Sequence, residues 1–454
     1  MKKIIIFCFI LSFYLSANAE DLTSDNKVTK LDIDSAVARA IGHNLPLKNN
    51  IIDNTGNMIS AITSWNKLLP NTSLSASIGN NYTYKTVTND ITDTETYNED
   101  TTNTLSVGFN TSLTLGAKIF FDIKQTILDY QNGMINYQIA LNKLKISVKK
   151  FYYNLILLKE QLELENNKLE NAKRRFEAAS IKLKVGVASE IDKLQSEYDY
   201  KSIQFENKKA VDSYNSNIFQ LKQMLGLDTN ENIELISNIP EVIPLDYNEL
   251  AKLPLGDNLD IKLIRQQIIS EQNSRNQYIA SLTPSISFSY SASSSFNKDP
   301  VKDQWFTDIK NDWDKSGTFR FSVSVPLDPL FPFSSVQNNI IKEQLAVKKL
   351  ENNLEDQKEK NKLSITQSII NLSQIEEDIS TLTTNIDLAN NTYQQIEKLY
   401  NAGGKSYLDL KDAENNLFDA QIKLLNAKYN YLTNLLDLKY LLNIDEKQGV
   451  PNEK

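Results

Sequence analysis

Apolar and small polar residues alternate in four short stretches of this chain, and apolar residues recur every three or four positions in two long ones. Leu74, Ala76 and Ile78 follow Pro70, and Ile286, Phe288 and Tyr290 follow Pro284. Leu105, Val107 and Phe109 alternate with Ser106, Gly108 and Asn110; Phe319, Phe321, Val323 and Val325 alternate with Arg320, Ser322 and Ser324. A period of two predicts strands with one apolar and one polar face. The pairs are expected at about 70–84 with 104–115, and at 284–296 with 318–327. Segments of about ten residues with this alternation suit a transmembrane barrel, lipid outside and water inside. A half-buried soluble sheet shows the same alternation.

The long stretches carry a different period. Leu141, Leu144, Val148, Phe151, Leu155, Leu158, Leu162, Leu169, Phe176 and Leu183 keep alternating three- and four-residue steps, with Glu165, Ala172 and Ala179 at the remaining ones. Leu372, Ile375, Ile379, Leu382, Ile386, Ala389, Tyr393, Ile396 and Tyr400 repeat the pattern. That is a coiled-coil stripe. No proline falls between Pro70 and Pro240 or between Pro332 and Pro451; from Met134 to Leu225 the only glycine is Gly186, and from Thr318 to Gln448 the only ones are Gly403 and Gly404. Each stretch therefore predicts a helical hairpin turning at those glycines. A helix of about 60 residues from Lys124 to Leu183 would extend on the order of 90 Å, with partners running back to about Leu225 and Leu442.

The two patterns occur twice. Pro70 and Pro284 lie 214 residues apart, and the turn sequence at 185–192 is matched at 402–409, where Asp192 and Asp409 lie 217 apart. A fixed offset means one unit used twice. The expected organisation is a first repeat over 20–226, a proline-rich acidic linker over 227–257, a second repeat over 258–443 and a tail over 444–454. Polar excursions at 85–103 and 297–317 join the strand pairs; the second carries Trp305, Phe306 and Trp313. Long polar loops of this kind usually face the exterior.

Composition narrows the setting. Lys2 and Lys3 precede an apolar run over 4–15, and Ala17-Asn18-Ala19 is an A-x-A cleavage site, so residues 1–19 read as a signal peptide. The one cysteine, Cys8, falls inside that segment. The chain's formal charge is −8, and without Lys2 and Lys3 it is −10, a poor match to nucleic acid. After the leader no apolar run reaches eighteen residues, so a membrane crossing would have to use strands. Four strands cannot close a barrel, because the smallest have about eight; other copies of the chain must complete it.

Catalytic chemistry is absent from the pattern. The single histidine, His43, stands beside Gly42 at an expected helix end, and there is no phosphate-cradling glycine loop or clustered set of metal ligands. No enzyme activity, cofactor or metal is expected. Tyr82, Tyr84 and Phe296 at strand ends read as girdle residues at the lipid interface.

These features together resemble the TolC-like outer-membrane efflux protein family over essentially the whole mature chain. The opening helix 31–40 with Asn44-Leu45-Pro46 is similar to the family's start. The segment from Tyr407-Leu408-Asp409-Leu410-Lys411-Asp412-Ala413-Glu414 through Ala420, Leu424, Ala427, Tyr429 and Tyr431 to Leu442 resembles its last helix. The resemblance implies a fold that is mostly α with a transmembrane β part. It implies a homotrimer sharing a 12-stranded β-barrel above a coiled-coil periplasmic tunnel. It places the protein in the outer membrane of a Gram-negative bacterium, in contact with lipid. Its partners would be a periplasmic adaptor protein and an inner-membrane transporter, in drug efflux or type I secretion. A periplasmic gate at the helix turns would use Asp192, Tyr400, Lys405, Asp409 and Asp412. Lys405 stands where the family's tie uses arginine, and lysine cannot make a planar bidentate contact. Asp409 and Asp412, three apart on one helical face, would ring the lumen with carboxylates. They also suit plain helix-start positions at the positive end of the dipole. By the turn alignment Tyr400, Lys405 and Asp412 face Leu183, Ala188 and Gln195 in the first copy. Two rivals use similar parts: a trimeric surface adhesin with a coiled-coil stalk, and a soluble periplasmic adaptor.

Overall fold

The computed structural model describes residues 28–89, 94–187, 189–242, 245, 258–298, 313–327 and 331–444. The expected leader, Trp305, Phe306, Ala188, linker residues 246–257 and tail residues 445–454 lie outside the described residues. The elements are β1 (Thr29–Leu31), α1 (Ile33–His43), α2 (Leu45–Ile62), a 3₁₀ turn (Ser64–Leu68), β2 (Asn71–Asn89), β3 (Thr94–Leu115), α3 (Lys118–Lys184) and α4 (Glu190–Leu225). They continue with β4 (Ile233–Leu235), α5 (Leu259–Ala280), β5 (Ser285–Lys298), β6 (Trp313–Ser324), α6 (Ser335–Asn401) and α7 (Tyr407–Leu442). The chain is thus mostly α with a β part. Order and length repeat: α3 and α6 are each 67 residues, α4 and α7 each 36. The duplication read from the sequence is a duplication of structure.

Two units divide these elements. One comprises Met1–Asn44, Leu144–Ile243 and Gln374–Thr433. Its core gathers Leu31, Ala36 and Ala40 against Val148, Tyr152 and Leu155 of α3 and Leu221 and Leu225 of α4. Asp32 caps α1 by accepting from the Ser35 amide at 3.0 Å. The β1 and β4 strands pair in parallel, Leu31 opposite Leu235, so the segment after α4 has short structure of its own. Tyr152, fully buried, joins these pieces. Its hydroxyl donates to the Leu31 carbonyl at 2.7 Å and accepts from the Ser237 amide at 3.2 Å. In the coiled-coil stripe the small residues Ala172 and Ala179 are buried where larger side chains are missing. His43 is not a reactive group: its ring lies against Gly226, where a Cβ would come within 2.6 Å of it, and its Nδ1 is 3.1 Å from the Arg39 carbonyl.

The other unit comprises Leu45–Lys143, Pro244–Ser373 and Asn434–Lys454. It holds one antiparallel sheet in the order β2-β3-β5-β6. The strand pairs of the two copies meet at β3 and β5, Phe109 opposite Ala292 and Leu113 opposite Phe288, which leaves β2 and β6 as free edges. Register lines the apolar positions up on one face: Leu74 and Phe109, then Phe288 and Phe321 with ring centroids 5.1 Å apart, and Phe296 beside Trp313 at 5.6 Å. That face is largely bare, with Ile78 72% and Phe319 70% exposed. The opposite face carries hydroxyls that pair across strands, such as Ser77 with Ser106 at 2.7 Å. Under the sheet, the buried Asn273 on α5 donates to the Phe121 carbonyl and to Gln125 of α3, each at 2.9 Å. At Gly133 the helix α3 passes so close to α2 that a Cβ would sit 2.2 Å from the Asn54 amide oxygen.

The strands run past the ends that alternation predicts. The β2–β3 ladder continues to Asn89 opposite Thr94, and β6 begins at Trp313. Most of 85–103 and the end of 297–317 are therefore strand, not loop. Residues 85–103 are rich in Thr, which favours strands, but carry no apolar alternation to mark them. No described helix is long and apolar enough to cross a membrane.

Two measurements follow from these contacts. Tyr152→Phe leaves the buried Leu31 carbonyl without its donor, at about 1–3 kcal/mol, and is expected to lower the thermal midpoint of the purified protein. An unchanged midpoint would show that the Tyr152 hydroxyl does not hold the joint. In the second unit, a hydrogen bond shared between Glu271 of α5 and Glu343 of α6 raises the Glu271 carboxyl to about 7, burial adding to it. The folded value lies above the ordinary 4.5, so the stabilisation is complete below that ordinary value and lost as pH rises through about 7. Glu271→Gln should flatten that fall in midpoint between the two values; a slope equal to wild type would place its origin elsewhere.

Candidate functional site at the helix turns

Both hairpins turn on a left-handed glycine. Gly186 has φ +77° and Gly403 φ +81°, a region closed to most side chains. The Val187 amide donates to the Lys182 carbonyl at 2.9 Å, and the Gly404 amide to the Leu399 carbonyl at 2.8 Å. These are the six-to-one bonds that terminate α3 and α6. Gly404 itself has ordinary φ and only van der Waals neighbours for a Cβ. Gly403 alone is demanded by the second turn.

After each turn the same box restarts the helix. In the first copy the Ser189 hydroxyl accepts from the Asp192 amide at 3.1 Å, and the Asp192 carboxylate accepts from the Ser189 amide at 3.1 Å. In the second, Ser406 and Asp409 do the same at 3.2 and 3.0 Å. Asp192 and Asp409 thus have a local structural role, satisfying amides that a helix start leaves open. The hydrogen bonds from Ser406 hold the Asp409 carboxyl below the ordinary carboxylate value. Lys405 lies 3.6 Å from Asp409, inside its own turn. Tyr400 packs edge-on to Tyr407 with centroids 6.2 Å apart, and Lys182 of α3 stands 5.7 Å above its ring. Burial, and then the charge of Asp192, raise the Tyr400 hydroxyl. Asp412 is exposed one turn further along α7. The five sequence-picked residues therefore gather at the hairpin ends, Lys405 with Asp409 and Tyr400 within reach of Asp192's field.

The residues that join one hairpin to the other are different ones. Asp199 of α4, 5% exposed, accepts from the Tyr407 hydroxyl at 2.8 Å and from the Lys411 ammonium of α7. Burial and the bond to Asp199 push the Tyr407 hydroxyl well above its usual value. Further along, Arg175 of α3 is paired with the buried Glu414 of α7, which also accepts from Asn171 at 3.3 Å. Burial opposes the charge on Arg175, but the charge and hydrogen bond of Glu414 outweigh it and raise its value. Asp199 stands one heptad after Asp192, so both lie on one helical face. That spacing is the one signal in the sequence that could have marked it. Arg175 and Glu414 carry none.

Long paired helices, end-on glycine turns and a four-stranded sheet with an exposed apolar face make up the fold to be compared with known proteins. Residues 250–443 match the family model described as outer membrane efflux protein. That match covers 194 of the chain's 454 residues, and over it the chain is similar to that family. It is 22% identical to the outer membrane protein TolC of Salmonella enteritidis over 324 residues, which is 70% of this chain and 64% of that relative's length. In fold it is similar to the CmeC outer membrane channel of Campylobacter jejuni, with TM-score 0.73 at 16% identity over 96% of this chain and 92% of that one. The open-state MtrE outer membrane channel of Neisseria gonorrhoeae gives TM-score 0.69 at 16% identity, covering 90% and 88%.

Asp199→Ala should free the first turn of α7. It leaves a half-buried Lys411 without its partner at a cost of about 1–3 kcal/mol, and amide hydrogen exchange over 407–412 should quicken. Exchange confined to wild-type rates would show that the caps alone hold the turn.

Proposed function

We propose that this chain is the outer-membrane exit duct of a tripartite efflux pump or type I secretion system. It passively carries solutes from the periplasm to the exterior of a Gram-negative cell. The observation that carries this reading is the open-edged sheet. β2 and β6 each have one unpaired side, and one face is mostly apolar and largely exposed. In lipid an unpaired backbone group costs several kcal/mol. Three chains contributing four strands each close the sheet into a barrel of twelve, with the hydroxyl-lined face inward. The likeness to the outer membrane efflux protein family supports the homotrimer, the periplasmic adaptor and the inner-membrane transporter as partners, and a conducting rather than catalytic role. An adhesin keeps its anchor strands together at the C-terminus; here helix follows each strand pair.

The helix turns are the proposed periplasmic gate. Asp409 is held in its cap and by Lys405, so Asp412, exposed and beside it, is the carboxylate most available to a threefold ring. Such a ring attracts cations and lets divalent ones block flow. Lys405 acts within its turn, while Asp199, Tyr407 and Lys411 supply the tie between hairpins.

Purified trimers are expected to conduct in planar bilayers. Asp412→Asn, which leaves the cap intact, should weaken block by divalent cations, and Asp409→Ala with Asp412→Ala should weaken it further. Correctly folded trimers that form no pores would sink the proposal. Pores with unaltered block would remove only the gate assignment.

A further inference from the structure

The polar face of the sheet is almost free of charge. Where all four strands pair, β5 offers Ser289, Ser291, Ser293 and Ser295 to that face, and β3 offers Ser112, Asn110, Gly108 and Ser106. Two charged residues interrupt it on β6. Arg320 lies opposite Ser289, in the row Asn71, Ser112, Ser289, Arg320, the first polar row at the helix side in which every strand takes part. Asp314 lies opposite Ser295, six residues along the strand. At about 3.4 Å per residue the two stand roughly 20 Å apart. That exceeds the Debye length of about 8 Å at physiological salt, so Arg320 is not neutralised by Asp314.

Arg320 is exposed, and its neighbours Phe319 and Phe321 lie on the apolar face. A guanidinium stays charged at every working pH. On a soluble sheet one exposed arginine would be screened and of no consequence. On the inner face of a closed barrel it would be repeated at one height by each copy, with lipid and low-dielectric wall behind it, and such walls focus a field into the water. Arginine rings of this kind favour anions and oppose cations.

We propose that Arg320 is a specificity-determining residue: a cationic collar inside the barrel that favours passage of anionic solutes over cationic ones. This rests on the barrel reading above, with the serine face inward. It is separate from the acidic turns, because Arg320 belongs to a different element and a different charge.

The test uses the trimer in planar bilayers under a potassium chloride gradient. Arg320→Asp should shift the reversal potential toward the cation value and lower the anion-to-cation permeability ratio several-fold. Arg320→Lys should leave the ratio near wild type. Both are repeated with Asp409→Ala and Asp412→Ala, so that carboxylates at the turns do not mask the change. Cys8 is the chain's one cysteine and lies in the expected leader, which allows a second readout. A charged, water-soluble thiol reagent should modify Arg320→Cys and change its conductance, and should leave Phe321→Cys unreacted. An unshifted reversal potential in Arg320→Asp overturns the collar while pores persist. Modification of Phe321→Cys in place of Arg320→Cys overturns the inward placement. Wild-type trimers without any pores would overturn the duct reading and the collar with it.

Discussion

On the proposed reading the sheet lies in lipid, where no solvent satisfies its edges, and that constraint shapes the rest of the chain. Four strands in the order β2-β3-β5-β6 leave two rows of backbone groups unpaired. Water would tolerate them; a bilayer core does not. The apolar face agrees with the edges, since most of its aromatic and branched residues, such as Ile78, Phe319 and Phe321, stay exposed in the single chain. The polar face agrees too, because only closure turns a row of serines into a lumen. On that reading edge, outer face and inner face call for the same solution, further copies of the same sheet.

The duplication explains how one chain supplies both strands and helices, and where the copies part company. At an offset of 217, Ser189 and Asp192 correspond to Ser406 and Asp409, and both pairs form the same capping box. Shared positions therefore build the local turn. Most residues of the ties between hairpins come from positions that are not shared, although Glu414 corresponds to Glu197. Tyr407 and Lys411 correspond to Glu190 and Leu194, Asp199 to Asn416, and Arg175 to Thr392. A repeat can start and stop its helices with one set of residues. Joining one copy to the other draws chiefly on residues that differ between them.

That division sets what could be read from the sequence. The four long helices were legible because proline and glycine are excluded over so many residues, and the turns because glycine returns at Gly186 and Gly403. The strands were legible where one side is apolar, and not beyond Tyr84 or before Thr104, where the ladder runs on without an apolar face. At the turns, the acidic cap residues stand out by spacing from serine. Arg175, Asp199 and Glu414 do not, since their roles depend on partners about 210 to 240 residues away, and only the packing of the hairpins brings these together. A buried charge inside a helix looks, in sequence, like any solvated one.

The placement of those buried charges follows from the weakness of a repeated seam. Leu, Ile and Ala recurring at heptad spacing pack almost equally well after a slip of seven residues, so apolar contact fixes the face but not the register. A paired charge behaves differently. Sliding α7 by one heptad against its neighbours would part Glu414 from Arg175 and Asp199 from Tyr407 and Lys411. Buried charges left without partners are strongly destabilising. The pairs sit near the turns, in the first two turns of α7 and beside the buried Leu410 and Ala413. Polar pairs there specify one alignment of helices whose stripes alone would accept several, and the alignment in turn sets the height at which Asp409 and Asp412 stand on α7.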